Sequence, residues 1–163
     1  MRRHQRDREF EEFVTAAWPR LRRAAYLLSH DTHEAEDLVQ TVLTSSYARW
    51  EQVRRDNAFA YVRRALVNAY IDTTRRRRPV PVGTDPDRAV LPDHSVEDRS
   101  ELTKLLAPLS PRERSIIVLR YYLDAPEAEV AERLGVSTGT VKSTASRALA
   151  RLRATTTPEG EHR

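Results

Sequence analysis

Residues 135–153 read GVSTGTVKSTASRALARLR, a turn followed by a helix that carries Lys142, Arg147, Arg151 and Arg153 and no acidic residue. At about 100° per residue, Val141, Ala145, Ala148 and Leu152 fall on one side of that helix. Gly139, Ser143, Ser146, Arg147 and Ala150 fall on the other. An apolar back with a small, polar and basic front suits a helix whose front enters a DNA groove.

The residues just upstream sharpen this reading. The spacing Ala131-x3-Gly135-x5-Val141 places a small residue where two helices approach, a glycine at their tight turn and a valine that pins the second helix to the core. That is a helix-turn-helix, with Ser137 as cap of the second helix. Before it, Ser110-Pro111-Arg112-Glu113 is a strong helix start, with Ser at the cap, Pro at the first position and Glu at the third. Ile116, Ile117, Val118, Leu119, Tyr121 and Tyr122 predict a largely buried helix. Pro126 opens the next one, with Ala125 as a poor cap that costs about 1 kcal/mol. Leu102, Leu105, Leu106 and Leu109 mark a short helix at the start of this half, and Val130, Ala131 and Leu134 face the core.

The N-terminal half is also helical. Phe10, Phe13, Val14, Ala17, Leu21, Ala24 and Leu28 have helical spacing, interrupted by Pro19, which predicts a kink near Trp18 or two short helices. Asp31 and Glu34 predict a capping box for a helix running to about Trp50. Its buried stripe is Ala35, Leu38, Val39, Val42, Leu43, Ser46, Tyr47 and Trp50. Glu34, Asp37, Gln40, Thr41, Thr44 and Ala48 remain on the outer side, either as a solvated face or as a protein-docking surface. A polar break over 51–57 precedes a helix of about residues 58–73, with Phe59, Val62, Leu66 and Tyr70 as core. Tyr61, Arg64, Asn68, Asp72 and Arg75 gather on its opposite face. Such residues suit phosphate attraction and base stacking, although a wet helix face with an incidental tyrosine would look the same.

The fold class is therefore all-α: two small helical domains joined by a flexible acidic linker, the C-terminal one a helix-turn-helix. The 163 residues have four glycines, no cysteine and a net charge of +4. Disulfides and thiolate metal sites are excluded. No apolar run approaches a membrane span and no signal-peptide core is present, which predicts a soluble, cytoplasmic protein. Charge is balanced over 1–59, +5 over 60–78, −3 over 79–100 and +3 over 101–153. Two basic blocks around an acidic, four-proline segment suggest two nucleic-acid contacts joined by something that avoids DNA. No catalytic residue, metal or cofactor is indicated. Glu34, Glu36 and Asp37 are the only dense acids near a motif, and only Glu34 and Asp37 share a face. The histidines have no ligand spacing.

These segments resemble a known family. LSPRERSIIVLRYYLDAPEAEVAERLGVSTGTVKSTASRALARLR at 109–153, HEAEDLVQTVL at 33–43 and FAYVRRALVNAYIDTTRRRR at 59–78 are similar to bacterial sigma factors of the extracytoplasmic-function group, resembling its actinobacterial SigE-like members. The first motif alone is shared in part with LuxR-type regulators, and a regulator binding DNA without being a polymerase subunit is the alternative reading. The resemblance implies a region 2-like domain over 1–78, a linker over 79–100, a region 4-like domain over 101–153 and a disordered tail over 154–163. The first domain would grip polymerase and melt the −10 element; the second would read −35 DNA.

The implied partners are core RNA polymerase, through its β′ clamp and β flap, promoter DNA, and an anti-sigma factor as a further candidate. Glu34, Asp37, Gln40, Thr41 and Thr44 match the polymerase-docking face. Gln52, Arg54 and Arg55 match a pocket for a base flipped from the non-template strand, beside Tyr61, Arg64, Asn68, Arg75, Arg76 and Arg77. Ser137, Thr138, Thr140, Lys142, Ser143, Ser146 and Arg147 match −35-contacting positions. The acidic linker would lie in a basic channel of polymerase. Relaxed, it spans roughly 25 Å, less than the roughly 70 Å between the two elements, so polymerase would fix their spacing. Two departures stand out: Tyr61 replaces a common Trp, and Thr144-Ala145 replaces a common Arg-Leu. Loss of that arginine predicts a salt dependence flatter by about 0.9.

Overall fold

The side chains of Ala17, Leu21, Ala24 and Leu28 recur every three or four residues and are all buried, so the first helix turns one continuous stripe inward. In the computed structural model, which describes residues 2–77 and 101–156, this helix is α1 (Arg3–Ser29). It starts seven residues before the expected periodic stretch and runs unbroken past Pro19, where a kink or two short helices were expected. Pro19 and Thr15 both lie on the exposed side. The Thr15 carbonyl, which loses its partner to the proline, therefore faces water while the opposite face packs.

The chain divides into two compact units, Met1–Pro79 and Val80–Arg163, and every regular element among the described residues is helical. In the first, α1 is followed by α2 (Thr32–Ala48) and α3 (Ala58–Arg77), each packed on the other two. The α1–α2 turn is very short. His30 takes a left-handed φ of 54° and its N–H donates to the Tyr26 carbonyl at 2.7 Å. Its buried ring stacks on Tyr26 with centroids 5.9 Å apart. Asp31 then caps α2, Oδ1 accepting from the Glu34 N–H at 3.0 Å.

The α2 helix ends two residues earlier than the spacing suggests. Trp50 sits instead in a single 3₁₀ turn (Trp50–Gln52), followed by another (Arg55–Asn57). In α3, Val62, Leu66 and Tyr70 are buried as expected, together with Arg63, Val67 and Ile71. Phe59, in the first turn, is only half-buried and lies beneath the Arg20 guanidinium, 4.5 Å from the ring centroid.

The second unit contains α4 (Glu101–Leu106), α5 (Pro111–Ile117), a π turn (Val118–Tyr122), α6 (Glu127–Leu134) and α7 (Thr138–Thr156). The capping box at Ser110 is complete. Ser110 Oγ accepts from the Glu113 N–H at 3.2 Å, and Glu113 Oε1 accepts from the Ser110 N–H at 3.1 Å. In α4 it is Thr103 and Leu106 that are buried, while Leu102 and Leu105 are half-buried.

Tyr121, expected in the core, is 51% exposed. The π turn closes with the Leu123 N–H on the Val118 carbonyl at 3.0 Å, one residue wider than an α turn. The wider turn rotates later side chains by about 100°, and Leu123 and Ala125 take the core positions. Pro126, not Ala125, occupies the cap position of α6. Ala125 is buried just before it, and Pro126 offers no side-chain acceptor, so the start of α6 still lacks a side-chain cap.

Gly135 adopts φ 69°, and the Val136 N–H bonds the Ala131 carbonyl at 3.0 Å, which closes α6 in a Schellman turn. Ser137 Oγ accepts from the Thr140 N–H at 3.0 Å, and α7 begins. This is the helix-turn-helix read from the sequence. Helix α7 continues through Thr156, past the expected end at 153. The expected linker over 79–100, Arg78 and tail residues 157–163 lie outside the described residues.

Candidate nucleic-acid interface

Helix α7 carries the first surface. Val141, Thr144, Ala145, Ala148 and Leu152 are buried, while Thr138, Lys142, Ser143, Ser146 and Arg147 are exposed. The capping group binds Ser137 to Thr140, their hydroxyl oxygens 2.9 Å apart, and Thr140 is half-buried. Ser143 Oγ donates back to the Thr140 carbonyl at 3.2 Å. The front is thus two cations among small hydroxyl side chains, narrow enough for a helix to approach base edges.

Two expectations about α7 change. Thr144 is 7% exposed and faces the unit's own core. An arginine there would reach a phosphate only by threading its stem out of that core, so a flatter salt dependence has no footing at this position. Arg151, one of the helix's four cations, is engaged inside the unit. Its Nη1 donates to Glu113 Oε1 and Oε2 at 2.7 and 2.9 Å, and Nη2 donates to the Pro108 carbonyl at 3.0 Å. Burial pushes the Glu113 carboxyl up, but hydrogen bonds from Ser110 and Arg151 outweigh it, and the net shift is downward.

The second surface joins the 50–57 segment to α3. Buried Trp50, Val53 and Ala58 form a cluster against which Phe10, Phe13 and Tyr61 pack, all three partly buried. Tyr61 therefore stands at the edge of the segment with part of its ring open. Gln52 and Arg54 are exposed, Arg54 pairing with Asp56 at 3.2 Å. Along α3, Arg64, Arg75 and Arg76 are exposed and Asn68 is half-buried; Arg77 lies in the last turn.

Arg55 departs from the expected DNA-facing role by spending donors internally. Its Nη1 donates to the Trp50 and Val53 carbonyls at 2.6 and 2.8 Å, and its Nε donates to Glu9 Oε2 at 2.8 Å. Its guanidinium lies 4.2 Å from the Trp50 ring centroid. The hydrogen bond from Arg55 holds the Glu9 carboxyl below the usual carboxylate range. Glu9, Arg6 and Asp7 were not singled out in the sequence, because their partners lie some forty residues away. Arg6 Nη2 donates to Tyr47 Oη at 3.0 Å, and Tyr47 Oη donates to Asp7 Oδ1.

The third surface is the outer face of α2. Asp37, Gln40, Thr41 and Thr44 are exposed and Glu34 is half-buried, which leaves an acidic and polar strip free of large apolar groups.

Among the described residues, no helix is long and apolar enough to cross a membrane, and no cluster of His, Cys, Asp or Glu could hold a metal ion.

Comparison with known proteins points to one family. Residues 13–80 match the family model for sigma-70 region 2, and residues 99–152 match sigma-70, region 4. The chain is 41% identical over 153 residues to an RNA polymerase sigma-E factor of Streptomyces avermitilis, covering 89% of this chain and 83% of that one. Over the same length it is 40% identical to the sigma-E factor of Streptomyces coelicolor, covering 89% and 84%. Among solved structures it resembles the sigma factor RpoE of Bartonella quintana, crystallised with the anti-sigma factor NepR, at a TM-score of 0.60 and 25% identity over 89% of this chain and 94% of that one. The match over residues 13–80 leaves the free-standing regulator without support.

Proposed function

The chain belongs to the extracytoplasmic-function branch of the sigma-70 family, as an alternative sigma factor that directs transcription initiation by RNA polymerase, and from this premise we propose how its surfaces divide the work. The front of α7 reads the −35 element. Lys142 and Arg147 bear on phosphates, and Thr138, Ser143 and Ser146 lie close to base edges. Ser137 and Thr140 hold the start of the helix in place.

The 50–57 segment and α3 open the −10 element. Gln52 and Arg54 meet a base drawn out of the stack, Tyr61 offers its ring to the unstacked strand, and Arg64, Asn68, Arg75, Arg76 and Arg77 follow the backbone. Arg55 shapes this pocket from within. The outer face of α2, with Glu34, Asp37, Gln40, Thr41 and Thr44, docks on the β′ clamp, and the second unit reaches the β flap. None of this calls for a catalytic group, since strand opening draws on binding energy alone. The work is done in the cytoplasm, where polymerase is. An anti-sigma factor, as found with the Bartonella relative, would act by covering these same faces.

The observation that supports this division most directly is the pairing, in one chain, of a helix-turn-helix with an aromatic-edged segment at the foot of a basic helix. Run-off transcription from genomic fragments with purified core polymerase tests it. The expected result is a set of transcripts made only when the protein is added; their absence would overturn the reading.

A further inference from the structure

The first turns of α1 have no part in the functions described so far, yet their side chains hydrogen-bond residues forty or more positions away. Glu9 accepts from Arg55 across 46 residues at 2.8 Å. Arg6 bonds Tyr47 and lies 3.7 Å from Glu51, while Asp7 accepts from the Tyr47 hydroxyl. Phe10 meets Trp50 edge-on with centroids 5.1 Å apart, and Phe13 lies 5.2 Å from the same ring. Every one of these contacts ends on the 50–57 segment or on the last turn of α2 that leads into it.

The key joint is Arg55. One nitrogen of its guanidinium bridges the carbonyls of Trp50 and Val53, which fixes the backbone on both sides of Gln52. The planar guanidinium is rigid, so whatever sets its orientation also sets that backbone. Glu9 sets it, through the Nε hydrogen bond, with Trp50 as the floor. A pair this exposed adds little stability, but it orients the guanidinium that bridges the Trp50 and Val53 carbonyls.

We propose that Glu9 is a positioning residue for −10 recognition, acting through Arg55 to fix the base-reading shape of the 50–57 segment. This rests on the reading of that segment as the pocket for an unstacked base. Loosening the brace blurs base selection while leaving polymerase docking and −35 contacts unaffected.

The test uses holoenzyme reconstituted from core polymerase and full-length protein. It measures binding to promoter fragments whose −10 non-template strand carries either the preferred base or each of the other three. Glu9→Ala should cut the preference for the correct base about tenfold, within the range a good base contact provides. Glu9→Gln, which keeps an acceptor but loses the charge, should fall between. Neither should alter affinity for core polymerase, and the unfolding temperature should move little. A merely structural role predicts the opposite pattern, a lowered unfolding temperature with unchanged base preference, and that result would overturn the proposal. Gln52→Ala and Arg54→Ala separate the two layers. If they abolish base preference and the Glu9 variants do not, the brace alone is wrong. If they too leave it unchanged, the pocket reading is wrong and the brace falls with it.

Discussion

Arg147 and Arg151 lie one turn apart on the same helix, and the structure places them in different surroundings. Arg147 is exposed on the front of α7. Arg151 closes a hydrogen-bonded pair with Glu113 at 2.7 and 2.9 Å and bonds the Pro108 carbonyl at 3.0 Å. Replacing each by alanine should therefore separate phosphate binding from folding. If Arg147 neutralises one phosphate, its loss flattens the slope of log K against log salt by about 0.9. Between 50 and 200 mM salt, the variant would then lose about 3.5-fold less affinity than the wild type.

For Arg151 the gross value of charge-assisted hydrogen bonds would be about 1.5–3 kcal/mol each. Its side chain is 53% exposed, so solvent screening brings the net nearer to about 1 kcal/mol. In so small a unit that lowers the unfolding temperature by about 4–8 °C. The measurements are a salt titration of holoenzyme on promoter DNA and thermal unfolding of the full chain followed by circular dichroism. Arg151→Ala should lower the melting transition and leave the salt slope close to wild type. If instead it flattened the slope as much as Arg147→Ala and melted normally, the assignment of Arg151 to the interior would be refuted.

Asp37→Arg together with Gln40→Ala, on the exposed strip of α2, should abolish co-purification with core polymerase while leaving the unfolding temperature within a few degrees of wild type. Gly135→Ala should cost about 1–2 kcal/mol in denaturant unfolding, from the left-handed φ of 69° alone, because a Cβ there meets nothing within 4 Å. Gly139→Ala meets only Ser137 Oγ at 3.8 Å; it should raise stability by up to about 1 kcal/mol yet weaken −35 binding, since the added methyl stands on the reading face. The depressed Glu9 pKa contributes stability above the unfolded carboxylate value and loses it as pH falls through the folded one. Unfolding temperature measured from pH 6 down to 3 should therefore drop less steeply for Glu9→Gln than for wild type.

What the sequence made legible follows the range of the interactions involved. The turn at Gly135, the cap at Ser137 and the box at Ser110–Glu113 are local chemistry, written within four residues of where they act, and all three stand in the structure. The stripes of α2 and α3 were legible because burial repeats with the helix period. The π turn was not. Whether Val118–Tyr122 winds as α or π depends on which of Tyr121, Leu123 and Ala125 the core accepts, and that is a tertiary choice. The brace under the 50–57 segment was hidden for the same reason. Arg6, Asp7 and Glu9 sit in a charge-rich stretch that looks solvated until the fold brings Tyr47 and Arg55 to it.

This difference in range bears on how the charge of the chain is to be read. Arg55, which the resemblance assigns to the flipped-base pocket, and Arg151, one of the four cations of α7, donate to carboxylates and carbonyls of their own unit. Counting cations therefore overstates the number of phosphates the protein neutralises, and the salt dependence of promoter binding should be shallower than its basic residues suggest. The two arginines make up for this in geometry. Arg151 holds the second half of α7 against the start of α5, and Arg55 holds the backbone on either side of Gln52. Each keeps in register a surface that would otherwise have to be ordered at the moment of binding, and that ordering would be drawn from the affinity. Removing either arginine should therefore weaken selection of the promoter more than it weakens attraction to DNA in general.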